Sequence, residues 1–151
     1  MKVDRVFTRK VMATTRSTPI AEAAAAMRRY GVGTLLVLED GAGTQGPVGI
    51  VTDRDLALEG FASDSCLVGS AMTPVIATVR AKADVHEALE LMRAHGVRRL
   101  VVTDADGGIC GIVSVDDIVD GLSTDLAAAA AVLKAEVKRD AAGLGEVKIG
   151  G

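Results

Sequence analysis

Residues 20–37 read IAEAAAAMRRYGVGTLLV, and residues 85–102 read VHEALELMRAHGVRRLVV. The two stretches align without a gap, 65 positions apart, so that Gly31 matches Gly96 and Met27 matches Met92. A second match follows each of them in the same order, GIVTDRD at residues 49–55 and GIVSVDD at residues 111–117. Because repeated sequence indicates repeated structural units, the chain is predicted to contain two copies of one small fold.

Each repeat has the pattern of helix, strand, hairpin turn, strand and helix. Apolar residues at spacings of three and four positions predict an amphipathic helix at the start of both copies. Thr18 and Asp84 are expected to be the N-caps of these helices, and Gly31 and Gly96 are expected to be their left-handed C-caps. The helices are therefore predicted to end at the same position in both repeats.

Short aliphatic runs bounded by turn residues predict the strands of each repeat. They lie at residues 34–38 and 48–52 in the first copy and at residues 99–103 and 109–114 in the second. A short extended piece precedes each repeat, and a further helix begins at Thr52 or Ser114. Two such α/β (α+β) units of the form βαββα can bury their exposed sheet faces only by packing on each other.

The sequence after residue 122 is rich in alanine and predicts a C-terminal helix over residues 124–139, capped by Ser123 or Thr124. Its apolar stripe indicates a core or dimer contact. The predicted organisation is a first repeat at residues 1–60, a connector and second repeat at residues 61–122, and a helix with a flexible tail at residues 123–151.

The composition excludes several classes of protein. With 49% hydrophobic and 25% charged residues, the chain is expected to fold, and its net charge of −3 argues against a nucleic-acid partner. No apolar run reaches the roughly 18 residues needed to cross a bilayer, and residues 1–10 lack a signal core. A cytoplasmic protein without a membrane partner is therefore expected.

Chemistry-bearing residues are few. Cys66 and Cys110 form no CxxC pair, which argues against a disulfide framework or a zinc site. His86 and His95 lie nine residues apart on one helix and therefore on opposite faces. No metal site, catalytic residue or enzymatic activity is predicted.

The doubled motif, E-A-x-x-x-M-R-x-x-G-V followed by a strand and then by G-I-V-T-D-R-D or G-I-V-S-V-D-D, resembles the CBS domain pair, or Bateman module. The resemblance spans residues 3–122. It implies a pseudo-twofold arrangement with two clefts for adenosine-containing ligands, namely AMP, ADP, ATP, NAD or S-adenosylmethionine. It also implies frequent dimerisation, so a homodimer is expected.

The resemblance implies that a Thr or Ser, three residues before an Asp, holds the ribose and phosphate of the ligand. Thr52 with Asp55 and Ser114 with Asp117 match this motif. An ionised carboxylate can accept from both ribose hydroxyls, and a helix N-terminus attracts phosphate. The alternative is that the hydroxyls only cap helices and the carboxylates only complement the helix dipole.

The two motifs differ in charge, because Arg54 of the first is replaced by Asp116 in the second. Arg54 is expected to contact phosphate, so the first motif is predicted to bind a phosphorylated ligand more tightly. Arg98 and Arg99, placed by the resemblance to face the phosphates, complicate this prediction because they can reach either cleft.

The remaining candidate contacts also follow from the resemblance, and plain core packing would explain the apolar ones equally well. The candidate walls for the base are Val11, Met12, Ala13, Ile50, Ile76, Ala77, Thr78 and Ile112, with Gly33 and Thr34 at the first-repeat positions of Arg98 and Arg99. Two functions remain open. One is a regulatory module that senses an adenine nucleotide and signals to a partner protein; the other is a ligand-free dimerising scaffold.

Overall fold

The computed structural model describes residues 1–41, 46–60, 66–75, 77–141 and 150. Within these residues the first repeat contains β1 (Met12–Thr15), α1 (Ile20–Tyr30), β2 (Thr34–Leu38), β3 (Gly49–Thr52) and α2 (Asp53–Gly60). The chain continues with α3 (Val68–Ala71), β4 (Thr73–Pro74), β5 (Thr78–Arg80), α4 (Val85–His95), β6 (Arg99–Thr103), β7 (Ile109–Ser114) and α5 (Val115–Ala141). The mixed α/β fold predicted from the repeated pattern is confirmed.

Each repeat builds one small sheet. The strand order is β1-β2-β3-β4 in the first sheet and β5-β6-β7 in the second. In both sheets the first strand runs parallel to the second, and the hairpin strand runs antiparallel to it. Leu36 and Ile50 of the first sheet form one buried cluster with Val101 and Ile112 of the second. The sheets therefore pack on each other through their aliphatic faces, as the pattern requires.

Each repeat is also covered by the segment that precedes the other repeat. Val3 is fully buried in the core of the second repeat, where its N–H donates to the carbonyl of Ala83 at 2.9 Å. Val68, 65 positions later, is buried in the core of the first repeat and donates to the carbonyl of Thr18 at 2.9 Å. This reciprocal exchange of segments makes the two repeats depend on each other.

The helix caps follow the prediction at three positions of four. Gly31 and Gly96 adopt left-handed φ angles of 64° and 65°, and Asp84 accepts from the N–H of His86 at 3.0 Å. That hydrogen bond is the main cause that lowers the pKa of the Asp84 carboxyl. The N-cap predicted at Thr18 is wrong. Pro19 holds the cap position, because the Thr18 hydroxyl instead accepts from the N–H of Thr15 at 3.3 Å.

The C-terminal helix is present, but it does not begin at Ser123 or Thr124. It is the continuous 27-residue helix α5, which starts inside the second repeat. The two hydroxyls donate to carbonyls one turn earlier, those of Val119 at 2.8 Å and Asp120 at 3.1 Å, so the predicted caps are wrong. Nothing between the repeat and the alanine run breaks the helix, since a single interior glycine costs only about 1 kcal/mol.

Three expectations fall wholly or partly outside the described residues: the connector predicted between the repeats at residues 60–69, the wall residue Ile76, and the tail predicted at residues 143–151. The division of the chain at residues 60 and 122 stays a prediction. Among the helices that the structure describes, none combines the length and apolarity that a membrane span needs.

Candidate functional site: two clefts between the repeats

The first cleft has a volume of about 220 Å³ and is built by both repeats. The strand-to-helix junction of the first repeat contributes Thr52 and Asp55, and Ile50 lines the cleft beside them. The second repeat contributes Ala77, Arg98 and Arg99, with further lining from Thr73, Pro74, Gly96, Val97 and Leu100. The lining thus combines apolar side chains with a hydroxyl and a carboxylate from the first repeat and two guanidinium groups from the second.

The second cleft has a volume of about 340 Å³ and reverses the roles of the repeats. The second repeat now contributes the junction residues Ser114 and Asp117, together with Ile112 and Arg99. The remaining lining comes from the N-terminal segment and the first repeat: Thr8, Lys10, Val11, Gly31, Val32, Gly33 and Thr34. The pseudo-twofold relation of the sequence repeats therefore appears as two related clefts.

The Thr52 junction is held by a reciprocal pair of hydrogen bonds. The N–H of Thr52 donates to Oδ2 of Asp55 at 2.9 Å, and the N–H of Asp55 donates to Oγ1 of Thr52 at 3.2 Å. This is a capping box, which fixes the side chains while it satisfies amides at the start of α2. Among the described residues Oδ1 of Asp55 has no hydrogen-bond partner, so it retains its full capacity to accept.

The Ser114 junction repeats this geometry with one added bond. The Ser114 N–H and hydroxyl both donate to Oδ2 of Asp117, at 2.8 and 2.7 Å, and the N–H of Asp117 donates back to Oγ of Ser114 at 3.1 Å. The interpretation of both hydroxyls as helix caps is therefore confirmed. It does not exclude a ligand contact, because the same residues line the clefts.

Burial distinguishes these two hydroxyl residues from the rest of the chain. Thr52 and Ser114 retain 8% and 9% of their accessible surface, and in the described ranges they are the buried polar residues of the fold. A buried polar side chain is costly unless it is hydrogen-bonded, and the capping boxes provide those bonds. The polar edge of each cleft is thus fixed in place before any ligand arrives.

The cations of the clefts differ from the sequence expectation. Arg54 is exposed and lies outside the lining of both clefts, so its expected contact with phosphate stays a prediction. Arg98 lines the first cleft and donates to Oδ1 of Asp116 at 3.3 Å, while Arg99 lines both clefts.

The candidate wall residues divide into two groups. Val11, Gly33, Thr34, Ile50, Ala77 and Ile112 line one of the clefts. Met12 packs against the core of the first repeat, and Ala13 and Thr78 are exposed, so these three lie outside the lining of both clefts. Alternation along a strand accounts for Met12 and Thr78, which directly follow Val11 and Ala77 and therefore point to the opposite face. It does not account for Ala13, which lies two positions after Val11.

Sequence reasoning missed Lys10, whose Nζ donates to the carbonyl of Tyr30 at 3.0 Å at the edge of the second cleft. It also missed Gly96 and Val97, which line the first cleft, and their repeat equivalents Gly31 and Val32, which line the second. The repeated Gly-Val pair carried a signal for both clefts, because equivalent residues of a symmetric pair occupy equivalent sites. Lys10 carried none, since it has no counterpart cation in the second repeat.

Comparison with known proteins places these features in a family. The sequence model of the CBS domain matches residues 3–60 and 68–124. The chain therefore belongs to the CBS domain family, and it contains the domain twice.

Individual relatives agree with this assignment. An uncharacterized protein of Methanopyrus kandleri is 31% identical to this chain. The match covers 78% of this chain and 61% of that relative's length. A CBS domain-containing protein of Bacillus subtilis is 30% identical over 85% of this chain and 91% of its own. The solved CBS domain protein of Pyrobaculum aerophilum, complexed with AMP, is 25% identical with a TM-score of 0.62, covering 78% of this chain and 89% of its own.

Proposed function

We propose that this chain is a regulatory module that binds an adenosine-containing nucleotide in its clefts and transmits occupancy to a partner protein. The observation that carries the proposal is the pair of clefts, each with an apolar wall, a fixed hydroxyl and carboxylate, and a cationic edge. The complex of the Pyrobaculum aerophilum relative with AMP supports the choice of ligand class. A phosphorylated nucleoside needs all three kinds of contact at once.

The chemistry of the first cleft fits such a ligand in three parts. Ile50 and Ala77 offer apolar surface to a base. Oδ1 of Asp55 can accept from the ribose hydroxyls, because only Oδ2 is used by the capping box. Arg98 and Arg99 can donate charge-assisted hydrogen bonds to the phosphate.

The test is calorimetric titration of AMP into the parent chain and into Asp55→Asn, Asp117→Asn and the double variant. The asparagine oxygen can still accept from the Thr52 or Ser114 N–H, whereas its NH2 group replaces the oxygen that faces the ribose. Hydrogen bonds to charged groups contribute about 1.5 to 3 kcal/mol, so each single variant is expected to lose roughly 10- to 100-fold in affinity at its own cleft.

The matched control is Asp53→Asn. Asp53 is a neighbouring exposed carboxylate that accepts from the N–H of Arg54 at 2.8 Å and lines neither cleft. The Asp53→Asn variant should therefore bind AMP with the affinity of the parent. Equal AMP affinity in the parent and the double variant would contradict the proposed contacts of Asp55 and Asp117 with the ribose. If the parent binds none of AMP, ADP, ATP, NAD and S-adenosylmethionine, the ligand-free scaffold function is favoured instead.

A further inference from the structure

Arg99 lies between the two clefts. Its partner across the hairpin of the second sheet is Ser114, which lines the second cleft. Val101, two residues further along the same strand, belongs to the buried cluster between the two sheets. Because residues two apart on a strand share a face, the Arg99 side chain is directed toward the first repeat, and Arg99 also lines the first cleft. A single cation is therefore placed where both clefts can use it.

The equivalent residue of the first repeat does not have this property. Thr34 matches Arg99 in the sequence repeat, and it pairs with Thr52 as Arg99 pairs with Ser114. Thr34 lines the second cleft but not the first, and its hydroxyl carries no charge. In the described part of the chain, this pair of equivalent positions therefore supplies one cation rather than two.

The charges of the linings show what sharing means for two ligands. Each lining taken alone has two cations and one carboxylate, and so one cation in excess. The two linings taken together also have one cation in excess, because Arg99 is counted in both. A phosphate monoester carries a charge of about −1.5 to −2 at pH 7. The described lining residues therefore do not provide a separate excess cation for each of two bound phosphates.

The other two lining cations have protein partners of their own. Arg98 donates to a carboxylate oxygen of Asp116 at 3.3 Å. Lys10 donates to the carbonyl of Tyr30 at 3.0 Å. The guanidinium group of Arg99 forms no hydrogen bond or ion pair with another described residue. Since a bidentate contact uses two N–H groups on one edge of the planar guanidinium, that edge can align with a phosphate in only one cleft at a time.

We propose that Arg99 couples the two clefts, so that a phosphorylated nucleotide bound in one cleft weakens the binding of a second in the other. The coupling rests on the proposed function and adds regulation to it. The first phosphate engages Arg99, and the second ligand then meets a cleft with one cation fewer. The effect is reciprocal, because a coupling free energy is the same from either site. A module of this kind responds over a wider range of nucleotide concentration than one with two equal and independent sites.

Calorimetric titration of AMP measures the coupling once each cleft has been titrated alone. Asp55→Asn weakens the first cleft and so gives the affinity of the second, while Asp117→Asn gives the affinity of the first. For independent clefts, the two stepwise association constants of the parent multiply to the product of these single-cleft constants. Because coupling between sites is typically 5- to 150-fold, the measured product is expected to lie at least about fivefold below the independent value.

Two controls separate Arg99 from the other features of the clefts. In an Arg99→Gln background the same three titrations are expected to show no coupling. Arg98→Gln is the matched control, because Arg98 is the neighbouring guanidinium and lines the first cleft but not the second. It is expected to weaken the first cleft and to keep the coupling of the parent. Adenosine lacks the phosphate, so its titration into the parent and the two single-cleft variants is expected to show independent clefts.

The coupling and the proposed function fail in different ways. If the parent binds none of the adenosine nucleotides, both are wrong. If AMP binds both clefts independently, or if Arg99→Gln keeps the coupling of the parent, only the role of Arg99 is wrong. That role is also wrong if one cleft binds no AMP when it is titrated alone. If the parent binds one AMP while each single-cleft variant still binds one, the coupling is confirmed in its strongest form.

Discussion

The residues that decide the clefts are two hydroxyls and two carboxylates at equivalent positions of the repeats. Thr52 and Ser114 are buried and cap helices, while Asp55 and Asp117 each use one oxygen in the capping box and turn toward a cleft. A cap alone would not require the motif to line a cavity. The repeat was therefore the sequence feature that indicated a binding site, because the same strand-to-helix junction occurs in both copies.

Arg99 lines both clefts, and among the described residues it is the one cation that does so. Arg99→Gln is expected to lower AMP affinity at both clefts, whereas Arg98→Gln is expected to lower it only at the first. A lost charge-assisted contact of about 1.5 to 3 kcal/mol corresponds to roughly 10- to 100-fold in affinity. Titration of adenosine, which lacks the phosphate, provides the control, and its affinity should stay unchanged. An equal loss for adenosine and AMP would show that Arg99 acts on the fold instead.

The helices and strands show which parts of the sequence pattern were sufficient. Strands β2, β6 and β7 have the bounds that the aliphatic runs predict, and α1 and α4 end before the two predicted glycine caps. The errors lie at Thr18 and at residues 123–124, where a hydroxyl side chain had more than one backbone partner within reach. A polar side chain near a helix end predicts a local hydrogen bond, but the sequence does not say to which amide or carbonyl.

The glycine caps themselves can be tested. Gly96 has a φ of 65°, and no neighbouring atom lies within 4 Å of a Cβ built there, so Gly96→Ala would introduce backbone strain and no steric contact. A left-handed conformation costs a non-glycine residue roughly 1 to 2 kcal/mol, and urea denaturation should show a loss of that size. Gly46→Ala is the control, because Gly46 is equally free of neighbours and has no positive φ. Equal stability of the two variants would refute this origin of the cap.

At the scale of the whole molecule, the repeat predicted the packing of one sheet on the other but not the exchange of preceding segments. Burial of Val3 in the second repeat and of Val68 in the first brings residues from distant parts of the sequence together. The same exchange places Thr8 and Lys10 beside Ser114, and Thr73 and Pro74 beside Thr52. Sequence spacing alone gives no measure of such contacts, which explains why these lining residues were missed.

The linings of the two clefts contain the same number of charged residues, two cations and one carboxylate each, which differs from the inequality expected from Arg54 and Asp116. Arg98 and Arg99 line the first cleft, and Lys10 and Arg99 line the second. Arg98 forms an ion pair with Asp116, whereas Arg54 lies outside the lining of both clefts. Tighter binding of a phosphorylated ligand at the first cleft stays a prediction, and a two-site titration of AMP measures the two affinities directly.

Thermal unfolding with and without AMP tests whether an adenosine nucleotide binds the folded chain. A ligand that binds only the native state at 100 times its dissociation constant stabilises it by about 2.7 kcal/mol, which raises Tm by several degrees for a chain of this size. Such a rise is expected for the parent, a smaller one for the Asp55→Asn, Asp117→Asn double variant, and a rise equal to the parent's for Asp53→Asn. A Tm that stays constant in millimolar AMP, ADP, ATP, NAD and S-adenosylmethionine would contradict the proposed binding.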